Sequence, residues 1–581
     1  MKRIALLVFL IACSATAFKN NVSGQSFDKE LKIEYLMPKS IKWLSDSSGN
    51  YVKNAENLLI PFSGQVSVSD TGYATMRSSG NKTASILLDF GKELHGGIEI
   101  ASAIRQSEKP VRLRIRYGES VTEAMSDVDD FSNGYPTNDH AMRDFEIKAP
   151  WLGTVRTGNS GFRFVRIDLL DTDVDYNLRA VRCMSQYRDI PYLGSFKCSD
   201  ERLNKIWATG AYTVHLNMQE LIWDGIKRDR LVWIGDINPE VMTINTVFGG
   251  NDVVGKSLDF AKNDTPLPGW MNGMCSYSLW WIITHRDLYL YQGNKAYLES
   301  QHEYLRKLVD QIIGKIDNKG VEHLDGTRFL DWPTSEIPEV VNSGLHSLVL
   351  MAMNASEEIF STLGDTEYAS ICKSTAEKLA KRKVAPLDNK QAAALAIVAG
   401  TSRNMKKDAK TILNGGANGF STFYGYYMLE ALAKCGKYAE AMQIMSDYWG
   451  AMLDLGATTF WEELKYSDVA NAGRIDEFVP ADKYDIHADG GAYCYKGLRL
   501  SLCHGWASGP TSWLTRHVLG VKPLEAGCAT IEIEPHLGNL EFAEGTFPTP
   551  KGVVKISHRK DVNGKIISKI DAPEGIKIIR K

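Results

Sequence analysis

The sequence predicts a three-part chain: an N-terminal β-sandwich over residues 27–192, a central (α/α)6 barrel of helical hairpins over 196–519, and a small C-terminal β-domain over 521–581. Three observations predict it. At 581 residues the chain is too long for a single hydrophobic core. Its apolar pattern changes period twice, from two to helical near residue 196 and back near 521. Within the middle part, glycine followed by a polar residue recurs just before new helical runs.

The first part is read from short alternating runs, "ASILLDFG", "GGIEIASAI", "VRLRIRYGE" and "FRFVRIDLL", separated by Gly, Asn, Asp and Ser clusters. Beyond it, Ser199 or Asp200 is placed to cap a helix whose Leu203, Ile206 and Trp207 share one face. Gly293, Gly364 and Gly436 then mark helix ends, with Gly250 as a looser copy. About 320 residues at one helix pair plus a long loop give roughly six hairpins, enough to close an α/α barrel. The tail returns to strands in "ATIEIEPHL", "GVVKISHR" and "GIKIIRK".

Composition narrows the partners. A net charge of −3 gives no electrostatic reason to expect nucleic acid. Residues 1–20 have two basic residues, an apolar run and small residues, which predicts an exported bacterial protein, periplasmic or lipid-anchored in the outer membrane at Cys13. The eight cysteines after Cys13 show no CxxC pair or zinc-like spacing, so free thiols with at most one disulfide are expected, and no structural metal.

The chemistry concentrates in "WDGIKRDRLVWIGD", where Asp224, Asp229 and Asp236 are interleaved with Lys227, Arg228, Arg230 and two tryptophans. A solvated salt-bridge run would seldom spend indoles. A second acid pair, Glu462 and Glu463, follows Trp461 in "GATTFWEEL", and one of the two is expected to point inward; an exposed turn is the competing reading. Trp270, Asp331, Trp332, His504 and Trp506 lie in further aromatic and polar stretches. Cys503 and His504 are neighbours in sequence and so face apart, which disfavours a nucleophile and base pair. Carboxylates and indoles at a barrel mouth suit glycosidic cleavage, in which one carboxyl group protonates the leaving oxygen and another activates water or attacks. Dinucleotide, GxSxG and HExxH motifs do not occur.

These stretches, with "CHGWASGPTSWL" downstream, resemble the α-L-rhamnosidases of glycoside hydrolase family 78, in the six-hairpin glycosidase group. The resemblance implies that Asp229 is the general acid, that Glu462 is the base activating water, and that the anomeric centre inverts. Asp224 and Asp236 would hold rhamnose hydroxyls, with Asp331 a further polar contact. Trp233, Trp270, Trp332, Trp461, His504 and Trp506 would wall the pocket. No cofactor is implied, and the expected partner is an oligosaccharide or glycoside. Asp229 stands where the family motif has Glu, and Gly225, Arg228 and Val232 replace its Pro, Asp and Gly. Those departures keep open a different deoxy sugar, an unsaturated uronide, or a non-catalytic sugar-binding relative.

Overall fold

The computed structural model describes residues 29–46, 48–105, 107–127, 143–385, 387–487, 495 and 497–581. Residues 1–20, with the expected leader and Cys13, and Cys494 lie outside the described residues. The seven other cysteines are unpaired, and no described helix is long and apolar enough to cross a membrane.

The N-terminal part is a nine-stranded antiparallel sheet wrapped around one core. Its central strand, Ala84–Ser102, pairs with Gly153–Leu169 along most of its length and with Tyr176–Arg188 over its second half. Register shifts between Asp89 and Leu94 and between Gly96 and Ile98 are bulges that bend the strand, so one sheet can fold over itself. Alternation does the sorting. Ile86, Leu88 and Phe90 enter the main core, while Leu87 points the other way and packs with Val121, Ala124 and Phe164.

Six helical hairpins follow. The outer helices are Glu201–Asn217, Asp252–Asp264, His302–Ile313, Thr366–Lys381, Met405–Leu413 and Tyr438–Asp454. They are amphipathic, as His302–Ile313 shows by burying Leu305, Leu308, Val309 and Ile312. Their inner partners are Ile234–Val247, Cys275–Gln292, Pro338–Leu363, Lys390–Ala399, Gly425–Lys434 and Gly509–Trp513. All 14 residues of Ile234–Val247 are buried, as a helix enclosed on every side requires. Each inner helix packs on the next, and Gly509–Trp513 packs back on Ile234–Val247, so the ring closes. The long connections, including 218–233, 314–337 and 455–508, join outer to inner helices at one end of the ring.

Asp200 is the cap of the first outer helix, accepting from the Arg202 and Leu203 amides. The strand before it, Ser195–Cys198, pairs with Phe542–Thr549. Residues 196–198 therefore join the C-terminal sheet, where the sequence reading had begun the barrel. A parallel pair between Thr530–Ile533 and Lys577–Arg580 anchors the chain end.

Candidate active site

The loop 218–233 opens the first hairpin and folds on itself. The Asp224 amide donates to the Leu231 carbonyl at 3.1 Å, and the Leu231 amide donates to Asp224 Oδ1 at 2.9 Å. Between them Asp229 and Arg230 take left-handed backbone, φ 55° and 54°, which is uncommon for side-chain-bearing residues. The Arg230 guanidinium holds the turn by donating to the carbonyls of Asn159, Ile226 and Lys227. Asp229 thus stands near the loop apex with its side chain 17% exposed.

A second segment, from the last hairpin, lies against this loop. The Glu462 amide donates to the Ser501 carbonyl, the Ser501 amide to Glu462 Oε2, and the Gly505 amide to the Asp224 carbonyl. A side chain at Gly225 would meet the Cys503 carbonyl, His504 Nδ1 and Ser501 Oγ, each at 3.2 Å, so the crossing is tight. Arg228 then spans both segments. Its Nη2 donates to both Glu462 oxygens, its Nη1 to Asp229 Oδ2 at 3.0 Å, and its Nε to the Arg499 carbonyl. Three hydrogen bonds from one guanidinium hold the nearest oxygens of the two carboxylates within about 8 Å of each other. Arg499 Nη2 approaches Asp229 from the other side at 3.8 Å.

Below this pair lies a buried acid cluster. Burial pushes Asp224, Asp236 and Glu240 above the usual carboxylate range, most strongly Asp224 and Glu240. Burial opposes the charge on His504, but Glu462, Asp236 and Asp224 outweigh it and raise its pKa to about 8. His504 Nε2 sits 3.0 Å from Asp236 Oδ1. Burial likewise opposes ionisation of Glu462, yet Arg228, His504 and the Ser501 amide hold its carboxyl below the ordinary value. The cluster therefore favours an ionised Glu462 and a protonated His504, beside acids that burial pushes toward their neutral form.

The remaining candidates divide. Asp331 is buried, accepts from Ser421 Oγ at 2.6 Å, and is raised by burial to about 6. Trp332 is part-buried beside Phe329 and Tyr495, and Trp233 meets Tyr277 edge to face. Trp506 is almost wholly buried; its Nε1 donates to the Glu462 carbonyl and its ring stacks on Phe423. Trp461 is fully enclosed in the barrel core and backs the site from behind. Trp270 turns away, donating to Asp325 Oδ1 at 2.8 Å with its ring against Gly326. Trp270 is thereby held in packing, whereas Trp461 Nε1 is buried with no hydrogen-bond partner among the described residues.

The structure gives roles to groups that carry none in the sequence. Arg228 is the bridge between the acids, Arg499 flanks Asp229, and Glu240 lies one helical turn after Asp236. Glu463 is raised to about 8 by burial and by the charges of Asp331 and Glu462. Arg228 and Glu463 stand in stretches already singled out by their acids and indoles, Glu240 lies just beyond one of them, and Arg499 has no such signal. A cavity of about 970 Å³ lined by Lys319, Arg328, His346, Arg382 and Arg403 lies elsewhere and contains none of these acids.

A β-sandwich followed by a closed ring of six helical hairpins, with acids gathered on the hairpin connections, is the architecture of the six-hairpin glycosidases. Residues 62–185 match the glycosyl hydrolase family 78 α-rhamnosidase N-terminal domain, and residues 191–382 match the bacterial α-L-rhamnosidase six-hairpin glycosidase domain. The two matches run almost end to end over more than half of the chain, which belongs to glycoside hydrolase family 78. An α-L-rhamnosidase of Alteromonas sp. (strain LOR) is 24% identical over 541 residues, covering 83% of this chain and 54% of that protein. The fold is similar to that of a family 78 rhamnosidase of Bacillus sp. GL1, with TM-score 0.72 and 21% identity over 91% of this chain and 55% of that one. A Klebsiella oxytoca rhamnosidase with rhamnose bound gives TM-score 0.61 and 18% identity, over 84% of this chain and 96% of that one. The chain spans about half the length of the Alteromonas and Bacillus relatives.

Proposed function

We propose that the protein is a glycoside hydrolase that removes terminal α-L-rhamnose from a glycan or glycoside. Asp229 is the general acid and Glu462 the general base of a single inverting displacement. Two acids from opposite ends of the barrel sequence meet on one guanidinium, and that meeting carries the assignment. Inversion needs carboxyl groups roughly 6.5 to 9.5 Å apart, with water between one of them and the anomeric carbon, a range that the Arg228 fork permits without fixing. Glu462 stays ionised and is fit to take a proton from water. Asp229, at the partly open apex, is placed to meet the leaving oxygen. Asp224, Asp236 and His504 form a polar floor for the sugar hydroxyls. The sugar itself is inferred from the relatives, which are rhamnosidases by name.

The test uses the full chain and an aryl α-L-rhamnoside. Asp229→Asn and Glu462→Gln are expected to lower kcat by about 1000-fold, within the range acid and base catalysis supplies, with melting temperatures little changed. Initial product followed by NMR should carry the inverted anomer. Full activity in either variant removes the assignment, and a retained anomer removes the inverting displacement alone.

The grip of Arg228 on Glu462 favours a second reading, a sugar-binding relative without turnover, because a clamped carboxylate cannot accept a proton until the clamp opens. Rhamnose binding by calorimetry, with no hydrolysis on a panel of aryl glycosides, would select it. The same panel separates rhamnose from another deoxy sugar or an unsaturated uronide. We also propose export through the leader, with a lipid anchor at Cys13; mass analysis of the mature N-terminus tests it.

A further inference from the structure

Next to Arg228, Lys227 points the opposite way, into a buried cage. Its Nζ lies 3.1 Å from Glu119 Oε2, 3.3 Å from Glu123 Oε1, 3.3 Å from His487 Nε2, and 2.7 and 2.8 Å from the Leu498 and Leu500 carbonyls. The Lys227 side chain is 1% exposed and both glutamates are fully enclosed. Glu119 and Glu123 belong to the β-sandwich, one just after the strand Val111–Gly118 and the other in the short helix Val121–Met125. His487 comes from the last hairpin's connection and reaches Ser120 Oγ through its Nδ1 at 2.6 Å. One ammonium therefore joins the sandwich, the loop that carries Asp229, and the segment that faces Glu462.

The acceptors are those of a divalent-cation site. Ligand atoms of Glu119, Glu123 and His487 all lie within 4.8 Å of one another. Two carboxylates, an imidazole and two carbonyls make a mainly oxygen set of the kind that suits Mn²⁺. The ammonium stands among them. The register it imposes reaches the catalytic acids directly: Lys227 takes the carbonyls of 498 and 500, Arg228 Nε takes that of 499, and the next amide, Ser501, donates to Glu462.

We propose that Lys227 is a positioning residue, the resident cation of a cage shared by the β-sandwich and both acid-bearing segments, standing where a divalent metal ion would otherwise sit. It fixes the separation of Asp229 and Glu462 and so makes the sandwich part of the catalytic apparatus. This rests on Asp229 and Glu462 being the acid and base proposed above.

Two variants of the full chain test it. Lys227→Ala opens the cage with all five acceptors in place, whereas Lys227→Met fills it without charge. Both should lower kcat about 100-fold, the loss expected of a misplacement near 1 Å, with KM changed by no more than about threefold. Lys227→Ala should bind one equivalent of Mn²⁺, read by loss of the free-ion EPR signal, and Mn²⁺ should restore kcat about tenfold. Lys227→Met should do neither. Adding Glu119→Gln and Glu123→Gln to Lys227→Ala should abolish Mn²⁺ binding. Unchanged kcat in both single variants, or no Mn²⁺ binding by Lys227→Ala at about 1 mM, a weak limit for a protein cation site, overturns the proposal. Should the Lys227 variants be insoluble, Glu119→Gln alone carries the test, with kcat lowered about tenfold expected and no change overturning it. Mn²⁺ binding does not depend on which acids are catalytic, so failure of that assignment appears instead as full activity in Asp229→Asn or Glu462→Gln.

Discussion

Two ionic clusters lie on either side of the loop 218–233, and they treat their charges differently. On the sandwich side, Lys227 has five nitrogen and oxygen neighbours from two other parts of the chain, the sandwich and the last hairpin's connection. Glu119 Oε1 and Glu93 Oε1 are the carboxyl oxygens there that lack a hydrogen-bond partner among the described residues. On the barrel side, Glu240 has no such partner at either oxygen and His504 Nδ1 has none, although both residues are enclosed. Groups of that kind cost about 1 to 3 kcal/mol each when left unpaired. A cation with all its acceptors at hand is architecture. On the barrel side the unmet groups lie directly beneath Asp229 and Glu462, where the proposed function puts a sugar.

Exchanging the two cations for neutral side chains breaks the comparison most directly. Arg228→Met removes the bridge between Asp229 and Glu462, and the expected fall in kcat is about 1000-fold. It also leaves Glu462 buried with only His504 and Ser501 to hold its charge, so its pKa rises and the acidic limb of the kcat profile moves to higher pH. Lys227→Met should lower kcat less and leave that limb in place, because Lys227 acts on position alone. If both variants shift the limb equally, the two clusters are one electrostatic unit.

The next effect is on stability. A methyl group at Gly505 would stand 1.4 Å from Glu240 Oε1 and 2.4 Å from its Cδ. Glu240 is wholly enclosed, so relief requires a backbone shift. Gly505→Ala should cost about 2 kcal/mol in urea denaturation, an ordinary overpacking penalty. In Gly505→Ala with Glu240→Ala the clash disappears, and the two changes should be strongly non-additive. Simple additivity would place Glu240 away from the floor of the site.

His504 gives a pH-dependent effect of similar or smaller size. Its folded pKa, about 8, lies above the ordinary value of 6.5. The protonated form is therefore favoured by folding, and its contribution is complete below pH 6.5 and disappears as pH rises through 8. A shift of that size is worth about 2 kcal/mol. Denaturation at pH 6 and pH 9 should show this loss in the unaltered protein and a smaller one in His504→Gln. Equal losses would mean that His504 is neutral in the fold.

The fold was legible because it is written in local periods and caps. Gly293, Gly364 and Gly436 all have left-handed backbone at helix ends, with φ of 68°, 79° and 70°. The looser copy falls one residue off, at Gly249 with φ 76°. The near-equal spacing of those glycines is nevertheless accidental: the first interval is one hairpin with a long connection, and the second holds two hairpins, with Gly400 capping between them. The acids were legible by type and company. Their cations were not, because Lys227 finds Glu123 at a separation of 104 residues and Leu498 at 271, and no local pattern encodes such a pairing. Trp270 shows the converse, since an indole near an acid reads the same whether it faces a sugar or a core.

The smallest expected effect separates contact with a sugar from support of a catalytic group. Trp506 was a candidate pocket wall, yet it is enclosed and its ring lies parallel to Phe423 at 4.8 Å, within 3°. Its Nε1 donates to the backbone carbonyl of Glu462, which also accepts from Thr422 Oγ1. Trp506→Phe removes one of two donors to that carbonyl and keeps an aromatic ring on Phe423. The stability cost should be about 1 kcal/mol, one hydrogen bond whose acceptor keeps a partner, with kcat and KM altered by no more than about threefold. A tenfold rise in KM at unchanged stability would put the ring in the sugar pocket. On the structure it braces the Glu462 main chain from behind, while Arg228 grips the carboxylate from the front.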